Sequence, residues 1–230
     1  MSVSDDLQKL ANRKRAIFLL RFFKTGKGQY GEGDVFLGIT VPVQRAVARK
    51  YKDLPLGEIE TLLHNKFHEY RLTALLILCY RFEKAGGVER EKIVDLYVSN
   101  TKYINNWDLV DLSSHEILGT YLLDKPEKRN ILISLAKSKS LWERRIAMVA
   151  CYALLRKNQF DETFAVSEIL LHDEHDLIHK AVGWMLREVG KRDAETEEAF
   201  LKKHYKIMPR TMLRYAIERF PEPKRKFYMA

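Results

Sequence analysis

Proline, cysteine and long apolar runs are scarce in this 230-residue sequence, and each scarcity excludes something. Six prolines leave room for long helices, because a proline inside a helix removes a hydrogen bond and crowds the preceding turn. The two cysteines, Cys79 and Cys151, sit in apolar helical patterns without zinc-site spacing. Buried, reduced thiols and a cytoplasmic setting are expected from that usage. No apolar run approaches the roughly 20 residues of a membrane span. Residues 1–16 are too charged for the apolar core of a secretory signal. A soluble protein with no membrane partner is expected.

Catalytic signatures are missing too. No Gly-x-Ser-x-Gly, His-Glu-x-x-His or Gly-Lys-Ser/Thr occurs. Gly26 to Gly31 matches G-x-G-x-x-G but follows a helical pattern, so a flexible loop is expected over Gly26–Gly33. His172, His175 and His179 read as surface histidines rather than metal ligands. Neither a cofactor nor a metal is expected.

What the chain does have is apolar bulk and positive charge. At 46% hydrophobic it can bury a core, and its net charge is +9. That excess suits an anionic polymer or surface, although proteins with no charged partner also carry such a surplus.

Apolar residues recur with helical periodicity almost throughout, so the fold class is all-α. One basic helix is expected over 4–24, with Leu7, Leu10, Ile17, Leu20 and Phe23 inward. Thr40-Val41-Pro42 opens the next helix, Pro42 in its tolerated first turn. Further helices are expected near 56–65, 68–84, 88–99, 107–123, 126–138, 141–157, 161–171, 175–191, 194–204 and 209–219. Short turns between them make antiparallel neighbours. A single repeat domain over residues 1–220 is followed by a short basic tail, 221–230, that reads as loosely attached.

The helices recur in pairs. Arg145 to Lys180 is 35 residues, Lys180 to Arg214 is 34, and 34 residues before Arg145 stands Asp111. A looser step of 40 reaches Arg71. Two-helix repeats of this length stack into a curved solenoid of HEAT-like pairs, here with a basic concave face. In that register Asp111 is the one carboxylate in a column otherwise held by Arg145, Lys180 and Arg214.

Asp111 also draws attention by itself. It lies four residues after Trp107 and seven before Leu118, on what a regular helix makes one face, with Leu122 joining. A carboxylate in an apolar stripe needs a hydrogen bond, a partner or a task. An ion pair with Arg145 and a catalytic role are both open, and they are compatible. Asn105 or Asn106 caps the same helix, and Asp108 in its first turn suits the macrodipole.

Two further stripes carry cations. In the helix from 175, Ile178, Val182, Met185 and Val189 face the core, while Lys180, Trp184, Arg187 and Lys191 lie nearly opposite. In the helix from 141, Arg145, Val149, Tyr152 and Arg156 form a similar stripe. Trp184 either packs on a neighbouring helix or offers an aromatic face to a sugar or base while the cations bind phosphates. The arginines either pair with acids such as Glu143 or fork onto phosphate oxygens.

At these residues the sequence resembles the AlkD-type DNA alkylation-repair glycosylases, built from HEAT-like repeats, from about Arg21 to about Phe220. The resemblance is carried by Phe36-Leu37-Gly38-Ile39-Thr40-Val41-Pro42, Asn106-Trp107-Asp108-Leu109-Val110-Asp111, Leu141-Trp142-Glu143-Arg144-Arg145-Ile146-Ala147 and Lys180-Ala181-Val182-Gly183-Trp184-Met185-Leu186-Arg187-Glu188. It implies that Trp107, Asp111, Arg145 and Trp184 form the active site. It further implies hydrolysis of the N-glycosidic bond of cationic N3- or N7-alkylated purines in double-stranded DNA. DNA contacts are expected from Arg145, Tyr152, Arg156, Lys180, Arg187, Lys191 and Arg214. One departure is Arg21-Phe22-Phe23-Lys24, where the family pattern has tyrosine. The chain is read as a monomer with no obligatory protein partner. Two rivals are a non-catalytic HEAT-like binder of branched or distorted DNA, which does not need Asp111, and a protein-interaction scaffold.

Overall fold

The computed structural model describes residues 2–230. Its helices are α1 (Val3–Lys9), α2 (Arg13–Phe22), α3 (Val41–Lys50), α4 (Leu56–Leu63), α5 (His68–Lys84), α6 (Gly87–Ser99), α7 (Trp107–Ser113), α8 (Thr120–Asp124), α9 (Asn130–Ala136), α10 (Leu141–Leu155), α11 (Asp161–Leu170), α12 (Asp176–Gly190), α13 (Ala194–His204), α14 (Arg210–Ala216) and α15 (Glu222–Met229). Contacts divide the chain into two compact units, Met1–Ile117 and Leu118–Ala230, where the sequence pattern predicts one repeat domain. Among the described residues no helix is long and apolar enough to cross a membrane.

The first unit is built around α5, whose residues from His68 to Leu78 are all buried. Its polar residues therefore need internal partners. Glu69 finds three, accepting the amides of Leu37, Gly38 and Ile39 at 2.8, 2.7 and 3.2 Å. This explains the glycine of Phe36-Leu37-Gly38. Its φ is +84°, and a Cβ there would lie 2.2 Å from the Asn12 carbonyl oxygen.

The helix expected over 4–24 is two helices. The Asn12 side chain accepts the Arg15 amide and starts α2 afresh, while its own amide donates to the Leu37 carbonyl at 2.8 Å. The expected inward set divides accordingly. Leu7 and Phe23 are buried, but Leu10, Ile17 and Leu20 are exposed, and no residue of α2 is buried.

The helix expected over 107–123 is regular only as far as Ser113. Residues His115–Gly119 form a π turn before α8. A π turn adds a residue to the repeat and shifts the face of everything after it. Leu118 and Leu122 are fully buried, whereas Trp107 and Asp111 are half-buried. Asp111 is therefore not the intruder in an apolar stripe that regular 3.6 spacing makes it.

In the second unit α10, α12 and α14 pack in sequence. Gly183 sets the closeness of the last pair, since a Cβ there would stand 2.4 Å from the Met212 carbonyl oxygen and 2.5 Å from the Tyr215 Cβ. The predicted core positions of α12, Ile178, Val182, Met185 and Val189, are all fully buried. Within residues 221–230, read as a loosely attached tail, Glu222–Met229 form α15. Tyr228 is buried there and donates to Glu198, while Lys224 pairs with the same carboxylate at 2.7 Å.

The helix starts make the repeat register concrete. Asp111, Arg145, Lys180 and Arg214 are each the fifth residue of their helix, in α7, α10, α12 and α14. Arg71 does not join them, because it is the fourth residue of α5. Its counterpart is Arg144, fourth in α10. Arg71 donates to the carbonyls of Asn65 and Lys66, six and five residues back, and pairs with Asp34. Arg144 donates to Ser138 and Lys139, also six and five back, and pairs with Asp173. The step of 40 thus lands one residue off the column, on a position that fastens the preceding loop.

One buried acid has a consequence for stability. Glu197 in α13 is 2% exposed, and its Oε1 has no hydrogen-bond partner. Burial pushes the carboxyl up to about 8, and the nearby Arg187 only partly opposes this. The folded value lies above the unfolded one, so the stability carried by the protonated form is complete below about pH 4.5. It is lost as pH rises through about 8. Glu197→Gln should therefore match the wild type near pH 4.5. At pH 9 it should exceed it by about 2 kcal/mol in urea denaturation.

Candidate active site

Trp107 and Asp111 stand first and fifth on α7, and the placement of that helix begins with its cap. Of the two candidate caps it is Asn106 that acts, its side-chain oxygen accepting the Trp107 amide at 2.9 Å. Asp108 does more than complement the helix dipole. One of its oxygens accepts the Leu109 amide, and the other faces His68 Nε2 at 2.8 Å.

His68 is 2% exposed and has a carboxylate at each nitrogen, Asp108 at Nε2 and Asp34 at Nδ1, 3.3 Å away. A neutral imidazole has only one N–H, so it would turn a lone pair on one of these acids. The imidazolium satisfies both. Burial opposes the charge, but Asp108 and then Asp34 outweigh it and raise the imidazole to about 9. Asp34 in turn accepts from Arg71 at 2.5 Å and from the Asn106 side chain at 3.0 Å. Burial works against its charge as well, yet His68, Arg71 and Asn106 hold its carboxyl below the usual range. Two acids and two cations balance inside the first unit, and the base of α7 is fixed by them.

An aromatic stack continues from this network. His68 lies 4.7 Å from the Phe36 ring and 5.0 Å from Phe23, centroid to centroid. The Phe23 and Phe36 centroids are 5.1 Å apart, so the three rings form a triangle and the imidazolium lies beside both phenyl rings, where their quadrupoles favour its charge. Phe23 then stacks on Trp107 at 5.4 Å, and Phe22 meets the same indole edge-on at 6.1 Å. The two phenylalanines that stand where the family pattern has tyrosine thus both support Trp107. The resemblance gives Phe23 and Phe36 no role in the site and does not mention His68. No spacing rule would have found them, because they come from separate segments.

Asp111, one turn beyond Trp107, opens onto a cleft of about 560 Å³ whose walls include Arg45, Tyr80, Glu83, His115 and Glu116. The indole and the carboxylate project from adjacent turns of one short, anchored helix. Such a pair offers an electron-rich face and a negative charge to whatever carries developing positive charge beside them.

The second unit holds the remaining expected residues. Trp184 is half-buried and lies 6.0 Å from the Tyr152 ring, so the two stripes do meet at these aromatics. Lys180 and Arg214 line a common cleft of about 570 Å³, as residues at one repeat position should. The cations are not a bare ridge, however. Lys180 pairs with Asp176 at 2.7 Å, Arg187 with Glu218, and Lys191 with Glu188 at 2.5 Å. Arg145, expected to fork onto a phosphate, is only 5% exposed and donates Nη1 to the Leu177 carbonyl at the start of α12. Arg156 and Arg214 are exposed. Of the histidines singled out, His175 caps α12 by accepting the Leu177 amide, and His179 bonds the Asp173 carbonyl. The amides of Gly26 and Gly28 are bonded to the side chains of Gln29 and Glu32, so that loop folds on itself.

Comparison with known proteins adds the following. The family model described as "DNA alkylation repair enzyme" matches residues 3–220. Among solved structures the chain is similar to one titled "Predicted DNA alkylation repair enzyme from Enterococcus faecalis". That match has a TM-score of 0.74 and 19% identity, covering 92% of this chain and 97% of the other. At that identity the likeness speaks for the fold. No curated protein matches the sequence.

Proposed function

The chain belongs to the DNA alkylation repair enzyme family, and from that premise we propose that it is a DNA glycosylase that removes cationic N3- or N7-alkylated purines from duplex DNA. The observation that carries the proposal is the pairing of Trp107 with Asp111 on a helix whose first turn is fastened by a buried, charge-balanced network.

The chemistry needs little more than such a pair. An N7- or N3-alkylated purine already bears a positive charge, so it departs as a neutral base when the C1′–N bond breaks, and no general acid is required. Positive charge passes to the deoxyribose, whose oxocarbenium character the enzyme has to stabilise. Asp111 supplies a fixed negative charge for that cation and accepts a proton from the water that attacks C1′. Trp107 packs its π face on the sugar, rigid because Phe22 and Phe23 back it. Trp184, flanked by Tyr152, contributes a second aromatic contact with the DNA. Exposed Arg156 and Arg214 meet phosphates directly, whereas Lys180, Arg187 and Lys191 exchange their carboxylate partners for phosphates. The 95% burial of Arg145 suits a fixed positive charge that orders the start of α12 better than a surface phosphate ligand.

The test is release of free base from methylated duplex DNA, with 7-methylguanine and 3-methyladenine separated chromatographically. The purified chain should liberate at least one of them well above the spontaneous rate. Release of neither base would reject the glycosylase reading.

A further inference from the structure

No residue of α2 is buried, and its exposed side chains run up to the candidate site. Phe18 and Phe22 are 62% and 51% exposed. Their rings lie 6.0 Å apart at an interplanar angle of 22°, and Phe22 reaches Trp107 at 6.1 Å. Three aromatic rings therefore follow one another from solvent to the indole beside Asp111. Residues 13–24 carry five cations, Arg13, Lys14, Arg15, Arg21 and Lys24, and no acid.

The distribution of those cations says what kind of partner fits. Lys14 is four residues before Phe18, Arg21 three after it, and Arg15 three before it. At helical spacing these place positive charge on both flanks of the Phe18–Phe22 stripe. A membrane-binding helix segregates its cations from a continuous apolar face. Here they alternate with aromatic rings, which is the pattern for a strand whose phosphates and bases must be held together.

We propose that Phe18 and Phe22 form a stacking platform for unpaired nucleobases of DNA, continuous with Trp107. Nucleotides released from the duplex next to a lesion would stack there while Lys14, Arg15 and Arg21 hold their phosphates. The platform selects DNA that is already locally open and keeps the strand beside Trp107 extended. This rests on the reading of the chain as acting on DNA, but not on any base being cleaved.

The experiment uses undamaged DNA, so glycosylase activity does not enter. A labelled duplex with a three-nucleotide bulge containing 2-aminopurine is compared with a fully paired duplex, by anisotropy and 2-aminopurine fluorescence. The full-length wild type should prefer the bulged duplex and quench the 2-aminopurine. Phe18→Ala should weaken bulge binding about tenfold and leave paired-duplex affinity almost unchanged, and Phe22→Ala, which also removes a support of Trp107, should weaken bulge binding at least as much. Phe18→Trp should retain the preference, and Phe18→Leu, apolar but without a ring, should lose it. Equal affinity of wild type and both alanine variants for the bulge would overturn the proposal. So would Phe18-dependent binding to anionic phosphatidylglycerol vesicles without DNA preference, or Phe18-dependent self-association in sedimentation. Because Phe18 and Phe22 are exposed, unchanged thermal unfolding of the variants will separate lost stacking from lost fold.

Discussion

Asp111→Asn should slow the release of 7-methylguanine by about 10²–10³-fold under single-turnover conditions, while unfolding and DNA affinity barely change. Asparagine keeps the size of the side chain and removes only the charge. Asp111 is half-buried on the wall of a cleft, where a charge is less screened than at an open surface. The oxocarbenium ion is cationic only in the transition state relative to the sugar of the bound substrate. The loss should therefore appear in the rate of bond breaking and not in binding. Affinity for undamaged duplex should stay level or rise slightly, because a carboxylate repels phosphates. Undiminished base release by Asp111→Asn would reject this role for the residue, even with a wild type that is active.

The second large effect concerns stability. His68→Ala should cost about 3–5 kcal/mol in urea denaturation, because it removes the buried cation that pairs with both Asp108 and Asp34. It should also lower base release, since the stack of Phe36, Phe23 and Trp107 loses the ring at its root. Changed tryptophan fluorescence in the folded variant would report that loosening. The wild type should show a matching pH dependence. The folded pKa of His68 lies above its unfolded value of about 6.5, so its contribution is complete below about pH 6.5 and is lost as pH rises through about 9. The decline should be on the order of 3 kcal/mol and should be absent from His68→Ala. It is separable from that of Glu197, which runs between about pH 4.5 and 8 and disappears in Glu197→Gln. An alkaline slope that persists in the double variant would show that neither group causes it.

Residues of one helix were legible wherever the helix is regular. The core of α12 follows from spacing alone, because 3.6 residues per turn leave four apolar side chains on one face. The shared register of Asp111, Arg145, Lys180 and Arg214 follows from the repeat length, and each does stand fifth in its helix. Spacing misled where a local device interrupts the helix. The first helix ends at its Leu10 C-cap and the Asn12 side chain caps the next, which a basic run with apolar residues at intervals does not reveal. The π turn at His115–Gly119 likewise shifts Leu118 and Leu122 off the face of Asp111.

The sequence by itself determined an all-helical, repeating chain of net charge +9 and the register that singles out Asp111. These depend on neighbours three, four or about 35 residues apart. Tertiary structure decided which charges are occupied and which faces are left open. Asp34, Arg71 and Asp108 meet around His68 from 34, 3 and 40 residues away, and Arg187 finds Glu218 beyond two intervening helix starts. Whether a cation is spent in an ion pair or left for a phosphate depends on which acid the fold brings within about 4 Å. The same is true of α2, whose apolar residues look like core in the sequence although the fold buries none of them.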